Sequence, residues 1–414
     1  MKNKILSLLT ILLMSSCQGN ISTNDISSDV NENSSVYEES ESSSIYVEPP
    51  QVSEDVAFYQ DVKVNDLSSM KQLILDNIND VSLKENITNM FGECEHSIKY
   101  STSISSITQI YDKCISDIYN LIPTADNDSE VISLNDAEKE NIMLLLDEYV
   151  FRNSLMGAPL ANSDWGYESI TLNTLNNKTW EYFFGENGTI CQTTKENYWD
   201  VKPFMSNDNF IKGINLALDK SLFLDITPNG SSENINKIID VTKYDYYKFD
   251  IDLARKYFKV ALEEMVEQGI YDVSNLSEPI NLTIEIAWDP WSSYKILEEV
   301  HNNVKACLES AFNVESVTNG NFTLTVDAWH SDNYGQIFSK KIYKGQYDAS
   351  FGQISGTSID NKTYRCYRLL SSNSYISKGF NVNWSLDTSS YDDCIVYNGY
   401  KYSYDSLLNL LIEN

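Results

Sequence analysis

Basic side chains are scarce in this chain. Lys and Arg total 30 against 60 Asp and Glu in 414 residues, a formal net charge of −30, and none falls between Lys4 and Lys63. Nucleic-acid binding depends on Lys and Arg meeting phosphates, so this balance argues against it. It argues equally against docking on anionic lipid through a basic patch. The plain meaning of the charge is solubility. Histidine is scarcer still, at His96, His301 and His330, with no HExxH spacing, so a histidine-rich metal site is not expected. His301 falls in a helical pattern, where packed or surface histidines outnumber ligands. Six cysteines follow Cys17, at 94, 114, 191, 307, 366 and 394, without a CxxC pair. They are too few for a disulfide framework, though pairing outside the cell stays open. There is no GxSxG, no Cys/His neighbourhood and no GxxxxGK loop, and no cofactor is implied. A glycosidase needs only two carboxylates, and inspection does not exclude a pair among 60 acids. Glycine (16) and proline (8) are few, which fits an AT-biased bacterial genome.

Long apolar runs are absent too. The only oily stretch, Ile5 to Met14, is too short for a bilayer, which needs about 20 residues. Lys2 and Lys4 precede it, and Ser15 and Ser16 follow, the layout of a secretory signal peptide. Cys17, directly after the small pair, resembles the lipobox cysteine of bacterial lipoproteins, which implies acylation and membrane anchoring. The alternative is an ordinary signal peptide with a chance cysteine. From Gln18 to Val56 the chain is Ser, Asn, Asp and Glu with scattered apolar residues, including EESESSS. Such a segment buries too little apolar surface to order itself and predicts an extended leash.

Apolar periodicity resumes beyond the leash. Met70, Leu73, Ile74 and Ile78 predict a helix over 67–81, and further helices are expected over 104–122 and 135–155. The last opens NDAE, where Asn135 and Glu138 form a capping-box pair, and continues with Ile142, Leu145, Leu146 and Tyr149 on one face. Past Gly157 the pattern becomes mixed. Phe210, Ile214, Ala217, Leu218 and Leu222 keep helical spacing behind Ser206 or Asn207 as cap. A second helix runs from Asp250 to a stop at Gly269, and a third from Ser292 to Phe312. PINLTIEIAW and FTLTVDAW alternate as strands, and YDASFGQ gives another. A short helix is expected around Lys340 and Ile342. Strands separated by helices predict an α/β body.

The order of these segments carries a resemblance. ENYWDVKPFM, with Tyr198 and Trp199, stands before DNFIKGINLALDKSLF as an N-x-x-Y-W segment does in the family of extracellular oligopeptide-binding proteins. FDIDLARKYFKVALEEM is similar to that family's next helix, which begins Y-D-x-x-x-A. PINLTIEI, the helix to Phe312, FTLTVDAW and KGQYDASFGQISG then follow in family order. Over residues 161–405, and most clearly 195–356, the chain resembles solute-binding proteins of family 5, the oligopeptide-binding subunits of ABC importers.

The resemblance implies a two-lobed, class II periplasmic-binding-protein-like α/β body with an N-terminal helical segment. Such a body captures oligopeptides or similar solutes in an inter-lobe cleft and delivers them to a membrane permease. It has no catalysis of its own, since ATP hydrolysis belongs to a separate ATPase subunit. The expected division is 1–17 lipoprotein signal, 18–56 acidic linker, 57–157 helical segment and 158–414 solute-binding body. Family members usually carry a larger first lobe, with a C-terminal segment returning to it. They hold ligand mainly through backbone groups, and a carboxylate following the strand that here is YDASFGQ meets the peptide's amino end. That position falls at or near Gly356 in ISGTSID, and Asp360 is the nearest acid.

A cleft for mixed peptides needs adaptable apolar walls, for which 27 Tyr and 7 Trp suffice. Trp329 ends a strand, where α/β clefts lie, and with Gln353, Ile354, Ser355, Gly356 and Thr357 is expected to line the site. Asp360 and Asp289 are candidate sources of charge, with solvated loop acids as their ordinary alternative. Trp329, like Trp288, Trp291 and Trp384, has a packed core position as its ordinary alternative. The competing function is a surface lipoprotein or adhesin on a degenerate binding-protein fold, without a transport ligand.

Overall fold

The computed structural model describes residues 50–125, 133–152, 158–163, 166–172, 202–223, 248–288, 294–329, 347–355, 364 and 395–414. Cys17, most of the acidic leash, Gly356, Thr357, Asp360, Asp289 and the short helix expected near Lys340 lie outside them. Four helices come first: α1 (Glu54–Asp76), α2 (Val81–Lys99), α3 (Ile104–Leu121) and α4 (Asp136–Arg152). α1 starts inside the stretch that composition assigned to the leash. Ser53 Oγ accepts the Val56 N–H at 3.3 Å, and Glu54 and Asp55 in the first turn complement the helix dipole. It also stops short of Val81. The Asn77 side chain donates to Leu73 O at 2.9 Å and closes the helix, while Asp80 caps α2 by accepting Leu83 N–H at 2.8 Å. α2 was not announced by periodicity, because it buries only Ile87, Phe91 and Ile98 along its length.

One core joins the first three helices. Tyr59, Leu67, Met70 and Ile74 of α1 meet Ile87 and Phe91 of α2 and Ile104, Ile107 and Ile118 of α3. Each such burial contributes about 1.5–3 kcal/mol. A disulfide between Cys94 and Cys114, with Cα atoms 6.1 Å apart, ties α2 to α3. α4 opens on the expected capping box: Asn135 Oδ1 accepts Glu138 N–H at 3.1 Å, and Glu138 Oε2 accepts Asn135 N–H at 2.8 Å. Ile142, Leu145, Leu146 and Tyr149 are all buried.

The chain's end returns to this helical part. β6 (Ile395–Tyr397) and β7 (Tyr400–Tyr402) form a hairpin whose turn residues Asn398 and Gly399 both have positive φ, 50° and 87°. α8 (Tyr404–Glu413) follows. Gly399 N–H donates to Asn77 O at 2.6 Å, Lys401 N–H to Pro123 O at 2.7 Å and Lys139 Nζ to Asn414 O at 2.8 Å. Residues 395–414, expected with the α/β body, therefore pack on the helical segment instead.

The α/β body is built on a five-stranded sheet of order β1-β2-β5-β3-β4. β1 (Ala158–Ser163) and β2 (Gly166–Leu172) are antiparallel, and β2 is antiparallel to β5 (Ala349–Ser355). β3 (Ile280–Trp288) runs parallel to both β4 (Phe322–Trp329) and β5. Leu282, Ile284, Ile286, Leu324 and Val326 bury one face against α5 (Asp208–Ala217), α6 (Ile251–Glu267) and α7 (Tyr294–Phe312). Asn207 caps α5 through Phe210 N–H at 3.0 Å, and Asp250 caps α6 through Leu253 N–H at 2.9 Å. Gly269, at φ +72°, follows the end of α6. α5 is shorter than the apolar spacing predicts. It ends at Leu218 with ψ 110°, which leaves Leu222 43% exposed in a separate turn. Phe210, Phe258 and Phe312 stack ring to ring, with centroids 5.1–5.8 Å apart. Gly213 permits the α5–α6 approach, since a Cβ there would stand 2.6 Å from Phe258 Cδ1.

Candidate functional site

β3, β4 and β5 are parallel, so all three end at one edge of the sheet. After β3 the chain moves to β4 on one side, yet β5 lies on the other side. A reversal of this kind marks the carboxyl edge at which open α/β sheets hold ligands. The register fixes the spacing of the residues there. Ala287 pairs with Trp329 on β4 and with Ser350 on β5, so these three residues form one row across the sheet. Trp329 is half-buried at the end of β4.

β5 runs past this row. Its pairing with β3 stops at Trp288 and Phe351, while Gly352 to Ser355 continue against Ser169 to Gly166 of β2. Gln353 therefore lies about 10 Å beyond the Trp329 row along the strands, and about 10 Å across from it. The expected site residues that the structure describes are thus brought to one edge but not into contact. Trp329 stands on one flank of the β3 terminus and Gln353, Ile354 and Ser355 on the other. Among the described strands, none pairs with Gly352–Ser355 on the β3 side. That stretch of backbone is an edge on which an extended chain is able to add.

The start of β5 is fixed by a buried ion pair that sequence reading missed. Lys202 Nζ meets the Asp348 carboxylate, which is 1% exposed, and also donates to Thr283 O at 2.5 Å. Asp348 Oδ2 accepts Glu285 N–H at 2.7 Å, and Asp348 N–H donates to Glu285 O at 3.0 Å. Lys202 thereby covers the β3 edge just ahead of the point where β5 joins it. YDASFGQ contains the acid, but nothing local marks it as buried, and its partner lies 146 residues away. Among the described residues no three His, Cys, Asp or Glu side chains are placed to hold a metal ion. What the edge offers is backbone, a tryptophan and a braced strand, an arrangement suited to binding.

No protein-family model and no curated protein matches the chain. Among solved structures it is similar to the substrate-binding domain of an oligopeptide ABC transporter from Bacillus anthracis, at 14% identity and a TM-score of 0.32, over 61% of this chain and 41% of that one. It is similar also to Listeria monocytogenes OppA bound to peptide, at 16% identity and 0.33, over 64% and 43%. A third is a peptide-binding protein of a peptide ABC transporter, at 17% identity and 0.31, over 59% and 91%. The chain spans about two fifths of the first two structures.

Proposed function

We propose that this protein is the solute-binding component of a peptide-type ABC importer, anchored to the outer face of a bacterial membrane by lipid on Cys17. The observation that carries the reading is the carboxyl edge of the sheet, where β5 overruns β3 and, among the described strands, has no partner on the β3 side beyond Phe351. An extended oligopeptide adds to that edge through its own backbone, which gives affinity with little dependence on side chains. Trp329 supplies an adaptable wall. In this reading the body is two-lobed and closes on its ligand, and separate permease and ATPase subunits carry out transport.

The location has one structural support. The Cys94–Cys114 disulfide belongs with an oxidising compartment rather than a bacterial cytosol. No helix among the described residues is long and apolar enough to cross a membrane. In this reading Cys17 carries the lipid, and the acidic leash is the spacer.

The test is thermal unfolding of the purified protein with and without mixed di- to hexapeptides. A ligand at about 100 times its dissociation constant stabilises by about 2.7 kcal/mol, a rise of several degrees. A midpoint that climbs with peptide concentration, and climbs less in Trp329→Ala, supports the receptor. A midpoint indifferent to every peptide pool moves the assignment to the surface-lipoprotein alternative.

A further inference from the structure

The five-stranded sheet has two edge strands, β1 and β4. An edge strand presents a row of backbone groups that pairs readily with a strand from another molecule. In β1 that row is interrupted, by Pro159, which has no N–H, and by a register shift between Pro159 and Ala161. β4 has neither feature. Its eight residues, FTLTVDAW, are β-branched, aromatic or apolar except for Asp327, with no Gly or Pro. That is the composition of a strand prone to pair with its own kind.

Among the described strands, none pairs with β4 on the side away from β3. A line of three side chains occupies that side instead. Lys305 and Glu309 of α7, and Asn313 just past its end, recur every four residues and so share a face. The Asn313 amide donates to Leu324 O at 2.9 Å, and its oxygen accepts Leu324 N–H at 2.7 Å. One side-chain amide thus makes both bonds that a neighbouring strand would make. Glu309 accepts Val326 N–H at 2.9 Å, Lys305 donates to Val326 O at 3.1 Å, and the two side chains pair with each other at 2.9 Å. Successive strand residues address opposite edges, so Thr323, Thr325 and Asp327 serve the ladder with β3 while Leu324 and Val326 serve the outer edge.

α7 does not need these contacts to dock. Val300, Val304, Leu308, Ala311 and Phe312 already pack it against the sheet. Lys305 and Glu309 are 39% and 26% exposed, so their bonds lie at the rim, within reach of an approaching strand. We propose that Lys305, Glu309 and Asn313 are a guard that stands in for a sixth strand and keeps β4 from pairing with β4 of a second copy. The pairing they forestall has a definite register. Two antiparallel copies about a twofold axis at Thr325 set Leu324 opposite Val326, exchanging both backbone bonds, and set Thr325 opposite itself.

Sedimentation velocity of the purified full-length protein over about a hundredfold range of concentration tests this. The parent should sediment as a monomer throughout. Glu309→Ala with Asn313→Ala should shift to a dimer as concentration rises. Adding Thr325→Lys to that double variant sets two ammonium groups face to face at the axis and should restore the monomer. A cooperatively folded double variant that stays monomeric overturns the proposal. A parent that dimerises as strongly as the double variant overturns it too, as does a dimer that Thr325→Lys leaves unchanged, since that dimer forms elsewhere. If the double variant does not fold, Asn313→Ala alone decides. Asn313 is exposed, and its loss frees both backbone groups of Leu324. That single variant should dimerise more weakly, and a strictly monomeric one overturns the guard.

Discussion

The Thr108 hydroxyl of α3 donates to the Glu264 carboxylate of α6 at 2.5 Å, linking the helical segment to the sheet body. Glu264 is 3% exposed, and its other oxygen accepts from Asn207 at 2.8 Å and Asn209 at 3.1 Å. Tyr59 Oη completes the network, 3.0 Å from Thr108 and 3.2 Å from the Asn209 amide. Four helices thus share one hydrogen-bond network built around this carboxylate. Close by, Lys63 is buried with its ammonium 4.1 Å from the Tyr111 ring centre. Burial alone would push that ammonium down, but Tyr59, Tyr111, Asp66 and Asp208 together hold it above its ordinary value.

Glu264→Leu should therefore cost stability well beyond the loss of one hydrogen bond. It takes the acceptor from the half-buried Asn207 amide and from one hydrogen of the buried Asn209 amide, at about 1–3 kcal/mol for a stranded buried group, while Thr108 keeps Ile104 O as acceptor. Urea unfolding should show a lower midpoint, and Glu264→Gln should recover part of the loss by keeping one acceptor oxygen. A Glu264→Leu protein as stable as the parent would show that the network contributes nothing net.

The contrast between what was legible and what was not runs through these residues. Ile104 to Ile118 and Ile142 to Tyr149 announce their helices because each keeps one apolar face at the helical period. Asn207, Asn135 and Asp250 announce starts because capping is local chemistry. Lys63 and Glu264 announce nothing, since a buried charge is recognisable only once its partners arrive from distant segments. The site divides in the same way. Trp329 was placed at a strand end from alternation alone. The overrun of β5 past β3 is a matter of register between segments some 60 residues apart, and no local pattern carries it. The return of residues 395–414 to Asn77 and Pro123 is long-range for the same reason.

The Cys94–Cys114 bridge spans 20 residues and should stabilise by about 3 kcal/mol through the unfolded chain it restrains. Cys94→Ala with Cys114→Ala should lower the thermal midpoint, and a reductant should do the same to the parent but not to the double variant. Cys307 is a poor competitor for pairing. It is buried in the sheet core, and burial pushes its thiol up, which keeps it protonated. If a reductant leaves the parent's midpoint unmoved, the bridge does not form in the protein.

Stability should fall as pH rises through the range set by Glu263. Burial, and then the Asp55 carboxylate beside it, hold its folded-state pKa at about 7, above the ordinary value of 4.5, so in that window the folded protein holds more protons than the unfolded chain. The contribution is fully present below about 4.5 and is lost as pH climbs through 7. Denaturation midpoints at pH 5 and pH 8 measure it. The fall between them should be smaller in Glu263→Gln, and an identical fall in both proteins would remove Glu263 as its source.

Lys202→Met tests whether the carboxyl edge depends on the brace beneath it. The substitution leaves Asp348 buried at 1% exposure with its cation gone, a loss of about 3–5 kcal/mol where a buried pair is broken from one side. Asp348 would then either protonate or pull β5 away from Glu285, whose N–H it holds at 2.7 Å. Either course loosens the strand that carries Gln353 to Ser355, so peptide response should fall together with stability. Adding Asp348→Asn removes the stranded charge and keeps an oxygen for Glu285, so the double variant should be more stable than Lys202→Met alone. Recovery of stability and peptide response together would tie the carboxyl edge to this brace. Recovery of stability alone would separate them, and would mean that the Lys202 contact to Thr283 O, which the double variant still lacks, is what sets the β3–β5 edge.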